Sequence, residues 1–141
     1  MFMGEYNHTI DEKGRLIIPS KFREELGNDF VVTKGLDGCL FIYDKLEWKA
    51  LEDKLRALPL TNKTARDFTR YMLGGAANVE PDKQGRILIP QNLRSFANLD
   101  KDVVLVGIAS RIEVWDREKW EALSFDTDDE ELAEKMESLG I

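Results

Sequence analysis

The sequence repeats itself, and this repetition limits the possible folds more than any other feature of the chain. Residues 11–19 (DEKGRLIIP) recur as residues 82–90 (DKQGRILIP), at an offset of 71. Residues 43–51 (YDKLEWKAL) recur as residues 115–123 (WDREKWEAL), at an offset of 72, so one residue is inserted between the two matches. Two matches in the same order predict a pair of homologous modules of about 45 residues each.

The sequence pattern of each module predicts two strands, a helix, two more strands and a second helix, in that order. The proline after each DxxGR segment ends a strand, because it has no amide to donate to a sheet. Ser20 is predicted to cap the first helix and Gly27 to end it. Asp44 and Glu47 form a capping-box pattern for the next helix. The predicted strands are residues 5–10, 15–18, 30–33 and 40–43 of the first module, and residues 103–106 and 112–115 of the second.

The repeat also predicts how the 141 residues are divided. We expect modules at residues 5–47 and 76–119, a helical linker at residues 48–75, and an acidic helical tail at residues 120–141. An apolar stripe in the linker is typical of packing rather than of a ligand site; it consists of Trp48, Leu51, Leu55 and Leu58. Together these patterns predict an α+β protein with a mainly β core and flanking helices.

The net charge of −7 argues, taken as a whole, against a protein that binds a polyphosphate. Its distribution weakens that argument. Residues 124–141 hold seven of the 27 acidic residues and one base, Lys135, and so carry −6 of the −7. Thr127 with Glu130 predicts the start of an amphipathic tail helix. The rest of the chain is nearly neutral, and residues 54–79 are basic, with five bases and one acid.

Three of the linker bases fall on one face of a predicted helix: Lys63, Arg66 and Arg70. They are suited either to phosphate contacts or to ion pairs with a neighbouring subunit, and we favour the ion pairs.

Several classes of function are excluded by what the sequence lacks. The single cysteine, Cys39, and the single histidine, His8, provide neither an internal disulfide nor a metal-ligand cluster. No phosphate-binding loop or nucleophile motif is present, which predicts a protein that is not an enzyme and needs no cofactor. The N-terminus has no basic region followed by an apolar run, and no long apolar stretch follows, so we expect a cytosolic protein without a signal peptide or membrane span.

The repeated DxxGR segment is the candidate functional motif. Asp11 and Asp82 can each open a turn by accepting the backbone N–H two residues further on. Gly14 and Gly85 can close it, because the last turn position favours positive φ.

Turn chemistry does not require the arginines that follow, Arg15 and Arg86, which occupy the first position of a strand in both modules. Alternation along the first of these strands places Leu16 and Ile18 on one face, with Arg15 and Ile17 on the other. The planar guanidinium of arginine suits phosphate or guanine. Residues Arg15, Arg86, Lys13 and Lys83 are therefore candidates for contacts with nucleic acid.

Two alternatives compete with this interpretation. Each arginine can form an ion pair across its own turn, Arg15 with Asp11 and Arg86 with Asp82, and such a pair is also compatible with binding. Alternatively, Asp11 and Asp82 can act as the paired carboxylates of an acid hydrolase. The arginine four residues after each aspartate argues against this, because it lowers the pKa of the carboxylate.

Four segments in order resemble the MraZ family of bacterial transcriptional regulators, and the likeness covers essentially the whole chain. They are residues 3–6 (MGEY), 11–15 (DEKGR), 66–70 (RDFTR, leading to Gly74-Gly75-Ala76) and 82–86 (DKQGR). The two modules resemble the AbrB-type swapped-hairpin DNA-binding domain.

This resemblance implies two interlocked modules in a pseudo-twofold β-barrel, assembled as homo-oligomeric rings of about eight to twelve subunits. It implies a cytoplasmic, nucleoid-associated protein that binds double-stranded DNA at G-rich direct repeats in its own promoter. Such a protein mainly represses the division and cell-wall gene cluster. The family's DNA-contacting motif maps onto Asp11 with Arg15 and Asp82 with Arg86.

An AbrB-like module can also serve as an antitoxin-type partner for another protein. Antitoxins usually carry a long tail for that purpose, whereas residues 124–141 form a short one. No membrane or small-molecule partner is expected in either case.

Overall fold

The computed structural model describes residues 1–123 and 128–141 and arranges the strands as a six-stranded antiparallel sheet and a separate two-stranded ribbon. The strands are β1 (Phe2–Thr9), β2 (Arg15–Ile17), β3 (Phe30–Lys34), β4 (Leu40–Tyr43), β5 (Ala77–Val79), β6 (Arg86–Leu88), β7 (Asp102–Ala109) and β8 (Arg111–Asp116). The helices are α1 (Ser20–Leu26), α2 (Lys45–Arg56), α3 (Lys63–Gly74), α4 (Gln91–Phe96), α5 (Arg117–Ala122) and α6 (Asp129–Ser138). The α+β class with a mainly β core is confirmed.

The two modules exchange strands. The first strand of module one, β1, pairs with β7 of module two over eight residues, from Phe2↔Ala109 to Thr9↔Asp102. The first strand of module two, β5, pairs in turn with β3 of module one. The resulting sheet has the order β1-β7-β8-β4-β3-β5, so each edge strand pairs with a strand of the other module and the two modules also meet at the centre, where β8 pairs with β4. Neither module has a complete sheet without the other.

A pseudo-twofold axis relates the modules, as the resemblance implies. The ribbon pairs β2 with β6 around Leu16↔Ile87, two residues that are equivalent in the repeat. In the large sheet, β4 pairs with β8 around Phe41↔Glu113, which are also equivalent. A residue that faces its own counterpart must lie near a twofold axis, so the axis passes through both pairs.

Side chains that alternate along the strands build two separate cores. On one face of the large sheet, residues such as Leu40 and Leu105 pack with Leu16 and Ile87 of the ribbon. On the other face, the apolar cluster includes Leu55 of α2 with the following residues: Phe41, Met72, Val104, Val106 and Trp115. The ribbon and the helices α2 and α3 therefore cover opposite faces of the sheet.

One predicted helix cap is wrong and another is confirmed. Ser20 is the first residue of α1, and Pro19 stands at the N-cap position without a side-chain hydrogen bond. The Pro19 carbonyl accepts the first helical hydrogen bonds, including that of Arg23, so the extended proline starts the helix without help from a hydroxyl. At α2, the Asp44 side chain accepts the Glu47 backbone N–H at 2.8 Å, as predicted.

The linker and the tail also differ in detail from the prediction. Helix α2 ends at Arg56, so Leu58 lies beyond the helix and is 40% exposed instead of completing the apolar stripe. The tail helix is present, and Asp128 caps it by accepting the Glu131 backbone N–H. Thr127, the predicted capping residue, lies outside the described residues. No helix in the described parts of the chain is long and apolar enough to cross a membrane.

Candidate nucleic-acid interface

The first DxxGR turn is organised by the carboxylate of Asp11. Its Oδ1 accepts the backbone N–H groups of Lys13 and Arg15, both at 2.9 Å, and its Oδ2 accepts the Arg15 Nε–H at 2.7 Å. The Asp11 carbonyl accepts the N–H of Gly14 at 3.0 Å. Gly14 has φ +85°, a conformation that side chains disfavour. One aspartate thus shapes the turn and holds the arginine that follows it.

The second turn has the same geometry. The Asp82 carboxylate accepts the backbone N–H groups of Gln84 and Arg86 at 2.9 Å and the Arg86 Nε–H at 2.8 Å. Gly85 has φ +78° and donates to the Asp82 carbonyl at 2.9 Å. Both ion pairs considered from the sequence are therefore present.

These contacts lower the pKa of both aspartates. The largest cause is the backbone N–H of the arginine four residues further on; burial opposes it, and the hydrogen bond from the arginine side chain lowers the pKa further. Both carboxylates are consequently ionised at neutral pH. Asp11 and Asp82 are also each bonded to their own arginine at opposite ends of the ribbon, whereas an acid hydrolase needs two carboxylates that share a proton. The geometry does not support that alternative.

The two arginines lie on one exposed face of the ribbon. The antiparallel register places Arg15 opposite Leu88, and Ile17 opposite Arg86. Arg15 and Arg86 are thus diagonal neighbours, with Cα atoms on the order of 7–8 Å apart. Ile17 and Leu88 complete the face and are 44% and 58% exposed, although both are large aliphatic residues.

Each of these arginines keeps part of its hydrogen-bonding capacity. Only the Nε–H of Arg15 and of Arg86 is donated to an aspartate. In the part of the chain that the structure describes, their terminal nitrogens have no hydrogen-bond partner. The side chains are 33% and 27% exposed. A guanidinium that donates its Nε–H to one carboxylate can still donate from its terminal nitrogens to a second acceptor.

The two candidate lysines are exposed at the turns but are not equivalent. Lys13 is the third residue of the first turn, and its counterpart in the second turn is Gln84. Lys83 is the second residue of its turn, and its counterpart is Glu12. The middle residues of the first turn therefore cancel in charge, whereas those of the second turn add one positive charge.

Two further arginines hold the turns, and each comes from the other module. A Cβ on Gly14 would lie 2.6 Å from the Cζ of Arg94, in α4. A Cβ on Gly85 would lie 2.6 Å from the Cζ of Arg23, in α1. Each turn glycine therefore packs directly against a guanidinium that a side chain would displace.

The Nε–H of each of these arginines is bonded close to its own helix. Arg23 donates to the Ile18 carbonyl at 3.0 Å, and Arg94 donates to the Ile89 carbonyl at 2.9 Å. Sequence analysis missed both residues. The repeat contained the signal, because Arg23 and Arg94 are 71 residues apart, the same offset as the turns.

The basic residues of the linker lie elsewhere. Lys63 and Arg70 both pair with Asp67 within α3, and Arg66 donates to the Leu60 carbonyl. Helix α3 covers the face of the sheet opposite the ribbon, so the structure does not bring these bases to the turns.

Fold and site together define a class: a two-module α+β protein with exchanged strands and an Asp–Arg turn at each end of an exposed β-ribbon. A family model described as "MraZ protein, putative antitoxin-like" matches the chain twice, at residues 1–71 and 72–139. The chain belongs to the MraZ family.

Relatives of this chain carry the name "Transcriptional regulator MraZ". The protein of Clostridium tetani is 60% identical over 142 residues, and that of Acetivibrio thermocellus is 60% identical over 143 residues. Each alignment covers 100% of both chains. Among solved structures, a solution structure of PHS018 from Pyrococcus horikoshii matches 81% of this chain and 88% of that chain, with a TM-score of 0.34 and 15% identity. The family match and the full-length relatives place the chain in a family of transcriptional regulators.

Proposed function

We propose that the exposed face of the β2–β6 ribbon binds double-stranded DNA in a sequence-specific manner. The observation that carries this proposal is the pair Arg15 and Arg86, which share one face with their terminal donors unused. The major groove admits a two-stranded β-ribbon, and arginine donates two bonds to guanine O6 and N7. This chemistry agrees with G-rich target sites.

The residues around the arginines have complementary roles. Lys13 and Lys83 lie exposed at the turns and contact phosphates, which position the protein without reading sequence. Ile17 and Leu88 are exposed beside the arginines and suit the methyl groups of thymine.

Several subunits act together on repeated sites. One ribbon offers few cationic contacts, and such binding is weak and falls steeply with salt. A homo-oligomeric ring raises the effective concentration of further ribbons at neighbouring repeats, so a promoter with direct repeats is preferred over a single copy. We propose that the protein represses the division and cell-wall gene cluster in this way from repeats in its own promoter. In this proposal the protein is cytoplasmic and associates with the nucleoid.

Arginine substitutions test the ribbon. Arg15→Ala and Arg86→Ala should each abolish specific binding in a gel-shift assay with the protein's own upstream region at moderate salt. Lys49→Ala is the matched control, because it removes one positive charge from an exposed position on α2. Circular dichroism should show that all three variants remain folded. Specific binding that survives both arginine substitutions would refute the assignment of the ribbon.

A further inference from the structure

Helices α2 and α3 and the loop between them line an open groove of about 460 Å³. The groove lies on the face of the sheet opposite the ribbon. Its apolar lining includes Leu60, which is 82% exposed, and Leu58, which is 40% exposed. Three arginines complete the lining without any acidic residue: Arg56, Arg66 and Arg70. The groove is therefore apolar inside and positively charged at its rim.

Part of that positive charge is not neutralised within the subunit. Arg66 donates to the Leu60 carbonyl at 3.1 Å, and in the described part of the chain it has no carboxylate partner. Arg56 and Arg70 make ion pairs along their own helices, at 3.5 and 3.3 Å, with side chains at least 70% exposed. Exposed pairs of this kind are weak and exchange readily for other partners.

The tail helix α6 has the complementary character. Leu132, Met136 and Leu139 follow at intervals of four and three residues and form one apolar stripe. Helix α6 contains five acidic residues and one base, Lys135. Every residue from 128 to 141 is exposed, so the stripe is not buried by its own subunit.

We propose that helix α6 of one copy docks in the α2–α3 groove of a second copy of this chain. The stripe would cover the apolar lining while the acidic residues beside it face the arginine rim. Both surfaces stay open in the single subunit, which favours a neighbour as the occupant.

The arrangement suits the assembly proposed above, on which this inference rests. Groove and tail are different surfaces, so their contact joins subunits head to tail, and head-to-tail contacts form a ring when the rotation from one subunit to the next closes. The groove also lies opposite the ribbon, so an occupied groove leaves the ribbon free for DNA.

Cross-linking between two variants tests this contact. Leu60→Cys places a thiol in the groove, and Met136→Cys places one on the stripe. The native Cys39 does not interfere, because it is fully buried and burial raises the pKa of its thiol to about 12. When the two variants are co-expressed and treated with a short bis-maleimide, we expect a covalent dimer that contains one chain of each.

The control variant places the thiol on the far side of the helix. Glu130 lies opposite the stripe, so Glu130→Cys combined with Leu60→Cys should give at least fivefold less dimer. Both positions in the main test are exposed in the subunit, and their substitution should not unfold it.

The remaining outcomes separate the inference from the proposed function. A cross-link that forms only within a single chain of the Leu60→Cys/Met136→Cys double variant would show that the tail occupies its own groove, and would overturn the proposal. Absence of any cross-link in a protein whose native mass is that of a ring would also overturn it, and would leave the ring intact. A strictly monomeric native mass would overturn this contact together with the proposed multivalent mechanism.

Discussion

The two DxxGR turns share one geometry but not one charge. The aspartate, glycine and arginine of each turn make the same hydrogen bonds at nearly the same distances. Their middle residues differ, with Glu12-Lys13 in one turn and Lys83-Gln84 in the other, and all four are exposed. The conserved geometry thus depends on the three contacting residues, whereas the exposed pair is free to set the local charge. The ribbon consequently has a neutral end and a positive end.

The turns also differ in what supports them from outside. The first packs against Arg94 and the second against Arg23, so each depends on a helix of the opposite module. Each end of the ribbon can therefore be altered in two ways: by a substitution in its own turn, or by a substitution in the helix of the opposite module that packs against that turn.

The largest effect on the stability of the protein is expected from substitutions of the turn glycines. Gly14→Ala and Gly85→Ala each place a Cβ at positive φ and 2.6 Å from a guanidinium carbon. We expect each to lower the free energy of unfolding by about 1–2 kcal/mol and to weaken DNA binding through the displaced turn. Urea denaturation and gel shifts measure the two effects.

Gly74→Ala is the control for these variants. Gly74 ends α3, has ordinary φ, and has open space where a Cβ would lie. Alanine there should leave the protein as stable or stabilise it by up to about 1 kcal/mol. Equal losses at Gly14, Gly85 and Gly74 would contradict the proposed packing of the turns.

A smaller effect is expected from substitution of Arg23 and Arg94, the arginines that pack against the turn glycines. Each substitution should alter the turn of the opposite module. Arg94→Ala should loosen the first turn and Arg23→Ala the second, each lowering DNA affinity roughly tenfold. Neither is expected to touch a phosphate, so the slope of log affinity against log salt should not change, whereas loss of a phosphate contact reduces it by about one.

Double-mutant cycles separate the crossed arrangement from a general loss of stability. The effect of Arg94→Ala on DNA affinity should be non-additive with that of Lys13→Ala and additive with that of Lys83→Ala, because only Lys13 belongs to the turn that Arg94 supports. The opposite pattern would show that each helix supports the turn of its own module.

A charge exchange sharpens the difference between the two ends. Lys83→Glu should lower DNA affinity a few-fold and flatten its salt dependence, whereas Glu12→Lys should raise affinity and steepen it. Fluorescence anisotropy over a salt series measures both. If the two variants act alike, the unequal charges of the turns have no role in binding.

The smallest effect concerns pH. Asp11 and Asp82 have a lowered pKa in the folded protein, so their contribution to stability is present above the unfolded value near 3.8. That contribution is lost as the pH falls through the folded pKa. The difference in stability between the native chain and the Asp11→Asn/Asp82→Asn variant should therefore be constant from pH 7 to about 5 and shrink at lower pH. A difference that instead grows below pH 4 would contradict the assigned direction.

Local features of the site could be predicted from the sequence. The turns, the positive φ of Gly14 and the pairing of Asp11 with Arg15 all depend on residues at most four positions apart. The alternation of Leu16 and Ile17 also follows from a single strand. Such contacts are encoded in short segments, so a motif is sufficient to anticipate them.

Contacts between the modules could not be predicted in the same way. Gly14 and Arg94 are eighty positions apart, and the repeat shows that Arg23 and Arg94 correspond without showing which turn each one contacts. The exchange of β1 and β5 was expected only from the resemblance to a known family. The binding roles of Arg15, Arg86, Lys13 and Lys83 remain predictions.

The exchange of strands has a consequence for the synthesis of the protein. Strand β1 pairs with β7, and Phe2 lies opposite Ala109. The first strand therefore has no partner until most of the chain has left the ribosome. Folding with such distant contacts is slow, because the loop must close before the pairing is gained. A chain that ends before β7 cannot form the sheet that supports the ribbon. Translation products that end there are therefore expected to lack the proposed DNA-binding activity.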